Sequence, residues 1–237
     1  MLSKNQIKNI TRLKQKKYRQ QEGLFIAEGI KVIHELLNST FKLVDLLTTE
    51  SFNLENETLI SETDLKKISC LTTPNTVLAV FEIPEKKTLM DSGLILALDA
   101  IRDPGNLGTI IRLCDWFGVK QLICSQETVD CYNPKVVQAT MGSLTRVAIH
   151  YVDLEAYLKE TKLPIFGAFM EGENVYKSAL PKNGIIILGN EANGITKSIE
   201  ACVTDKISIP RFGDLQVTES LNVATAGAIL LSEFRRS

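Results

Sequence analysis

The sequence predicts an α/β protein of two domains, a small mixed α/β domain followed by a larger one built on a parallel sheet. Three observations carry this expectation. At 237 residues the chain exceeds the ~100–150 residues of the commonest single domain. Short apolar segments alternate with helix-length segments throughout the stretch after Gly93, a pattern that builds parallel sheets covered on both faces. Between the halves lies Pro84–Gly93, where Pro, Gly and charges of both signs break every periodicity. The boundary is therefore expected near residue 88, giving domains 1–88 and 89–237.

From the N-terminus, residues 1–21 carry seven basic side chains (Lys4, Lys8, Arg12, Lys14, Lys16, Lys17 and Arg19) and no acidic one. The other 216 residues carry 20 of the 27 basic and all 28 acidic side chains, a net −8 hidden beneath an overall −1. A segment of one sign is suited to a polyanion, because each phosphate contact releases counterions. A solvated basic helix would look the same. From Phe25, the residues Ile26, Ile30, Ile33 and Leu37 recur at helical spacing and predict a helix with one buried stripe. Leu43–Leu47 and Thr76–Glu82 are strand candidates, the second with Val77, Ala79 and Phe81 alternating ahead of Pro84.

In the second half the strand candidates are Leu94–Leu98, Gln121–Cys124, Arg146–Tyr151, Ile165–Phe169, Ile185–Leu188 and Lys206–Ile209. Helix candidates are Leu107–Phe117, Pro134–Thr140, Leu154–Thr161, Thr196–Cys202 and Leu221–Phe234.

Several classes are disfavoured. No apolar run approaches the ~18 residues of a membrane span, and the first twenty residues lack the apolar core of a secretory signal. A cytoplasmic protein with no membrane partner is expected. Five cysteines (Cys70, Cys114, Cys124, Cys131 and Cys202) are scattered and odd in number, which predicts reduced, mostly buried thiols. With His34 and His150 as the only histidines, and Asn38 where a His34-Glu35-x-x-His zinc helix needs its second ligand, no metal is expected.

In parallel α/β sheets, ligands bind beyond the carboxyl ends of strands, so three post-strand loops matter most. Asp99–Gly108 contains neither a dinucleotide nor a nucleotide-phosphate glycine fingerprint. Its Asn106 is a candidate N-cap for the next helix, with Arg112 further along, an arrangement able to hold a phosphate. A capped turn with a surface arginine fits equally. Leu188-Gly-Asn-Glu-Ala-Asn-Gly-Ile195 offers Gly189 for close backbone approach and Glu191 as a carboxylate at a strand end; a tight turn with an exposed Glu also fits. Ile209–Asn222 precedes a helix whose Ala224, Ala226, Gly227 and Ala228 permit close packing.

Taken together, Asp103-Pro-Gly-Asn-Leu-Gly108…Arg112, Leu188-Gly-Asn-Glu191…Gly194-Ile195 and Ile209-Pro210…Ser220-Leu-Asn-Val223 closely resemble the three motifs of the SpoU (TrmH) family of RNA methyltransferases, in the SPOUT superfamily. The likeness covers Leu94–Phe234, and Gln138-Ala-Thr-Met-Gly-Ser143 is similar to a further family helix end. Residues 4–83, including Phe25-Ile-Ala-Glu-Gly-Ile-Lys31, resemble the family's N-terminal RNA-binding domain, itself similar to a small ribosomal protein.

The resemblance implies a SPOUT domain whose C-terminal chain forms a trefoil knot, working as a homodimer on S-adenosylmethionine. By motif position it implies cofactor contacts from Leu188, Gly189, Ile209, Pro210, Leu221 and Asn222. It implies a polar catalytic cluster of Asn106, Arg112, Glu191, Ser220 and Asn222, and methyl transfer to a ribose 2′-hydroxyl of structured RNA, ribosomal RNA before transfer RNA. Arg112 and the basic N-terminal residues would bind that RNA. No histidine falls in a motif, and an arginine stays protonated at neutral pH. Arg112 is therefore expected to grip a phosphate and stabilise alkoxide charge rather than act as a base. The chain departs from the family pattern at Leu113-Cys114, at Ala224 and in the length of the 210–220 loop. A non-catalytic ribosome-assembly factor, a transfer-RNA ribose methyltransferase and a base methyltransferase are the alternatives.

Overall fold

The computed structural model describes residues 1–52, 54, 56–85, 87–213 and 220–236. In chain order the elements are α1 Lys4–Arg12, α2 Lys16–Glu22, β1 Leu24–Glu28, α3 Ile30–Leu37, β2 Leu43–Thr48, β3 Glu57–Leu59, α4 Glu62–Ile68 and β4 Val77–Glu82. There follow β5 Leu94–Leu98, α5 Pro104–Trp116, β6 Gln121–Ser125, α6 Pro134–Thr140, β7 Ala148–Val152, α7 Leu154–Glu160 and β8 Ile165–Asn174. The chain closes with β9 Gly184–Leu188, α8 Lys197–Glu200, β10 Asp205–Ser208 and α9 Val223–Arg235. Two compact units result: residues 1–86 with 130–145, and residues 87–129 with 146–237. The division differs from 1–88 and 89–237 chiefly in the segment 130–145, which packs in the first unit.

The first unit is a four-stranded sheet in the order β1-β4-β2-β3, antiparallel except for the β2/β3 pair. Ser3 caps α1 by accepting from the Gln6 amide, and the Gln6 side chain accepts in return from the Ser3 amide. That helix and α4 bury Ile10, Leu65 and Ile68 against Ile26, Leu47 and Leu78 of the sheet. The helix expected from Phe25 onward is corrected here. Phe25–Glu28 is strand, paired with Leu78–Phe81, because this segment is buried throughout whereas a surface helix buries one stripe. Gly29, at φ +90, then turns the chain into α3, and Ile30 of the anticipated stripe is 54% exposed.

Segment 130–145 completes this unit from the other side of β1. The Phe25 ring lies 4.9 Å from Tyr132 and 5.9 Å from Phe81. After α6, Met141 and Gly142 adopt left-handed φ values, and a Cβ on Gly142 would sit 2.5 Å from the Glu35 side chain. Only glycine fits that position of the Gln138–Ser143 motif.

The second unit is a six-stranded, wholly parallel sheet in the order β10-β8-β9-β5-β6-β7. Strands β5, β6 and β9 are buried along their full length, as expected of a sheet covered on both faces. The chain runs outward from β5 through β6 to β7, then crosses to β8 and returns by β9 to lie beside β5. The β5/β9 boundary is therefore the switch point at which a crevice opens beyond the strand ends. Helices α5 and α9 pack together. A Cβ on Gly227 would come within 3.0 Å of Leu188, which accounts for the smallest residue of α9. Among the described residues no helix is long and apolar enough to cross a membrane, and no three His, Cys, Asp or Glu side chains gather as metal ligands. No disulfide joins the five cysteines, of which Cys114, Cys124 and Cys131 are buried; burial, and then the charge of Glu28, pushes the Cys70 thiol up to about 12.

Candidate active site

The site is built on the two loops that leave β5 and β9. Asp99, at the end of β5, is buried, and its carboxylate accepts from the Thr196 amide at 2.7 Å. Ala100 then takes φ +57, unusual for a residue with a Cβ. Its N–H donates to Ser125 Oγ at 3.0 Å, and its carbonyl accepts from Asn190 Nδ2 at 2.7 Å. The other end of the Asn190 carboxamide accepts from the Ala192 and Asn193 amides. Asn190 thus ties the loop of Glu191 to the loop of Asn106, a role the sequence did not announce.

The N-cap of α5 is Asp103 rather than Asn106. Its carboxylate accepts from the Asn106 amide at 2.7 Å, and Pro104 fills the first helical position, where no N–H is needed. Three residues past the cap, in the first turn, Asn106 keeps its side chain free for longer contacts. Its Nδ2 donates to Glu191 Oε1 at 2.5 Å, and its Oδ1 accepts from Asn222 Nδ2 at 2.9 Å. Asn222 in turn caps α9, its Oδ1 accepting from the Ala224 and Thr225 amides. One residue from each of the three motifs therefore meets in a single hydrogen-bonded row.

Beside this row lies a cavity of about 1440 Å³, lined in part by Leu188, Gly189, Glu191, Ile209, Pro210, Ser220 and Leu221. Every residue expected to hold the cofactor except Asn222 borders it. Gly189 is the tightest point: a Cβ there would lie 2.3 Å from the backbone of Gly194 and Ile195. A cavity walled by backbone at a glycine and by apolar Ile209 and Leu221 fits a mostly neutral adenosine body held by main-chain groups. Sequence reasoning missed the opposite wall, Ala168–Glu171, because β8 runs to Asn174 rather than ending at Phe169. Phe212, 83% exposed, also borders the cavity. Residues 214–219 of the third loop lie outside the described residues.

Arg112 is not brought into the row. Six residues beyond Asn106 on α5, it is turned about 120° away around the helix axis at ~100° per residue. It is exposed and makes no hydrogen bond with Asn106, Glu191 or Asn222.

The basic N-terminal residues divide. Lys4, Lys8, Lys14, Lys16 and Lys17 are exposed, although Lys14 Nζ also donates to the Ser69 carbonyl. Arg12 pairs with Glu22 at 3.1 Å. Arg19 is a correction. It is 1% exposed, pairs with Asp130 at 2.5 Å and donates to the carbonyls of Leu13 and Lys14. A guanidinium enclosed in this way is a structural ion and presents nothing to RNA.

Comparisons with known proteins bear on this geometry. The family model described as the SpoU rRNA methylase family matches residues 93–232, and one described as an MRM3-like substrate binding domain matches residues 4–79. The chain is 28% identical to the Bacillus subtilis 23S rRNA (guanosine(2553)-2′-O)-methyltransferase RlmP, over 98% of this chain and 97% of that one. Among solved structures, a candidate RNA methyltransferase of the TrmH family from Porphyromonas gingivalis superposes with a TM-score of 0.88. It is 40% identical, with 100% of this chain and 99% of that one covered. An AdoMet-bound rRNA methyltransferase from Sinorhizobium meliloti gives a TM-score of 0.85 at 28% identity, covering 100% and 97% of the two chains.

Proposed function

This chain belongs to the SpoU rRNA methylase family, and we propose that it methylates the ribose 2′-hydroxyl of structured RNA with S-adenosylmethionine, ribosomal RNA in preference to transfer RNA. The observation that carries this reading is the row Asn222–Asn106–Glu191, drawn from three separate loops, beside a cavity that requires glycine at position 189.

Leu188, Gly189, Ile209, Pro210 and Leu221 would hold the cofactor. Bound there, S-adenosylmethionine supplies an electrophilic methyl group on a sulfonium whose charge disappears on transfer. The residues of the chain have two tasks. They hold the acceptor oxygen in line with the methyl group, which is where most of the rate gain of a two-substrate displacement arises. They also accommodate the proton that leaves the 2′-hydroxyl as the C–O bond forms. The Asn106 carboxamide is fixed in orientation by its donor and its acceptor, so it presents a preset dipole to Glu191, which borders the cavity. Ser220, which also borders it, adds a hydroxyl.

Arg112 supplies a permanent charge for an RNA phosphate, and that phosphate assists removal of the proton. Exposed Lys4, Lys8, Lys14, Lys16 and Lys17 extend the phosphate contacts on the first unit. The preference for ribosomal RNA is supported by the substrate-binding match over residues 4–79 and by the relatives' names. A homodimer through the second unit, the C-terminal trefoil knot and a cytoplasmic location belong to the same proposal, with the family likeness as their support.

The test is transfer of isotopically labelled methyl groups from S-adenosylmethionine to purified ribosomal and transfer RNA, followed by digestion to nucleosides. Label in a 2′-O-methylnucleoside from ribosomal RNA is expected. Label in a methylated base, or in transfer RNA alone, would move the function to the corresponding alternative.

A further inference from the structure

Strand β8 leaves its ladder between two neighbouring residues of β10. Lys206 pairs with Gly167, yet Ile207 pairs with Glu173, so Ala168–Gly172 bulge outward. Bulges of this kind re-aim side chains beside active sites, and this one is held at both ends. At its start, a Cβ on Gly167 would lie 2.5 Å from the Phe169 ring. At its return, a Cβ on Gly172 would lie 2.7 Å from the Lys206 carbonyl oxygen, and Ser208 Oγ donates to the Gly172 carbonyl at 3.0 Å. The excursion places Ala168, Phe169, Met170 and Glu171 on the wall of the cavity of about 1440 Å³. Among the described residues three carboxylates border that cavity, Glu171, Glu191 and Glu200, and two are already engaged. Glu191 accepts from Asn106. Glu200 pairs with Lys206, whose ammonium also lies 4.8 Å from the centre of the Phe169 ring. Glu171 is exposed and makes no hydrogen bond or ion pair among the described residues.

We propose that Glu171 accepts hydrogen bonds from the ribose hydroxyls of bound S-adenosylmethionine. The inference rests on the cofactor reading of this cavity and adds to it a side chain outside the three motifs. Backbone and apolar walls can hold an adenine, but the two vicinal ribose hydroxyls are donors that need acceptors. A carboxylate offers two acceptor oxygens and no donor, which is why an acidic side chain meets the ribose hydroxyl in dinucleotide sites. The ammonium of the methionine tail is the less favoured donor. It is strongly hydrated and is satisfied by water at an open mouth, whereas two vicinal hydroxyls match both oxygens of one carboxylate.

The test uses ligands without the sulfonium charge, so that simple attraction of a cation to Glu171 does not enter. S-adenosylhomocysteine, its 2′,3′-dideoxy analogue and its deaminated analogue are titrated by calorimetry into wild type and Glu171→Ala. Wild type should bind the parent ligand about tenfold to a hundredfold more tightly than the dideoxy analogue, the worth of a hydrogen bond to a charged group. Glu171→Ala should bind the parent more weakly by a similar factor and lose most of the preference for the ring hydroxyls. Its preference for the amine should stay at the wild-type value. Thermal stability of the unliganded variant should match wild type, since Glu171 is exposed and pairs with nothing among the described residues. A variant that keeps the wild-type preference for the ring hydroxyls would overturn the proposal. Loss of the amine preference instead would also overturn it and assign Glu171 to the methionine tail. If wild type binds no S-adenosylhomocysteine at all, the cofactor reading itself falls and takes this contact with it.

Discussion

The carboxamide of Asn106 donates to Glu191 at 2.5 Å while accepting from Asn222 at 2.9 Å. Residues 85 and 116 positions away in the chain therefore fix both ends of one side chain. Asn106→Asp replaces the donor with a second carboxylate facing Glu191. Turnover should fall by about a hundredfold to a thousandfold, the usual cost of a lost preorganised donor. Binding of S-adenosylmethionine, measured by calorimetry, should change little, because Asn106 does not border the cavity.

Gly189→Ala should do the opposite. A Cβ 2.3 Å from the Gly194 and Ile195 backbone must push the two strands of the second loop apart. Loss of cofactor binding by calorimetry is expected, with RNA affinity retained through the first unit. Tight cofactor binding by this variant would show that the cavity at Gly189 is not the cofactor site.

Arg112→Lys keeps the charge and loses the planar fork. Most turnover should disappear in single-turnover assays while cofactor affinity is spared. Near-normal turnover would reduce Arg112 to a point charge and remove the need for its bidentate grip.

Among the N-terminal basic residues, the predicted effects separate by burial. Arg19→Ala leaves Asp130 uncompensated, together with the carbonyls of Leu13 and Lys14. It should cost about 3–5 kcal/mol in denaturant unfolding. Replacing Lys4, Lys8, Lys16 and Lys17 with Gln should leave stability nearly unchanged. It should flatten the plot of log affinity against log salt by up to about 3 to 4 if each lysine meets a phosphate.

An acid limb of stability is expected in the first unit. Hydrogen bonding from Lys67, and then from the Leu2 amide, holds the Asp64 carboxyl below its usual 3.8. A lowered folded value means that the stabilisation is fully present above 3.8 and is lost as pH falls from there through the folded value. Asp64→Asn should be less stable at neutral pH and show a shallower decline in that range, followed by thermal unfolding at stepped pH.

The residues that make the second unit were largely legible, because Leu94–Leu98 and Ile185–Leu188 sit in a fully paired parallel sheet where an apolar run admits little else. Where a short, fully buried strand runs straight into a helix, periodicity misled: Phe25–Leu37 reads as a single helical stripe, but Gly29 at positive φ divides a strand from a helix. The motif residues were legible as a set, but their local roles were not. Asn106 and Asp103 are both good N-caps, and Pro104, suited to the first helical position, favours Asp103 locally; what stayed hidden is that Asn106 meets Glu191 and Asn222 far along the chain. The fate of Arg19 was equally hidden, since nothing near residue 19 announces Asp130.

The most direct measurement is nucleoside mass spectrometry of separated ribosomal and transfer RNA from cells with and without this gene. The account predicts loss of one 2′-O-methylnucleoside from ribosomal RNA, restored by the wild-type chain and not by Arg112→Lys. Unchanged nucleosides in both pools, or loss of a base-methylated one, would contradict it.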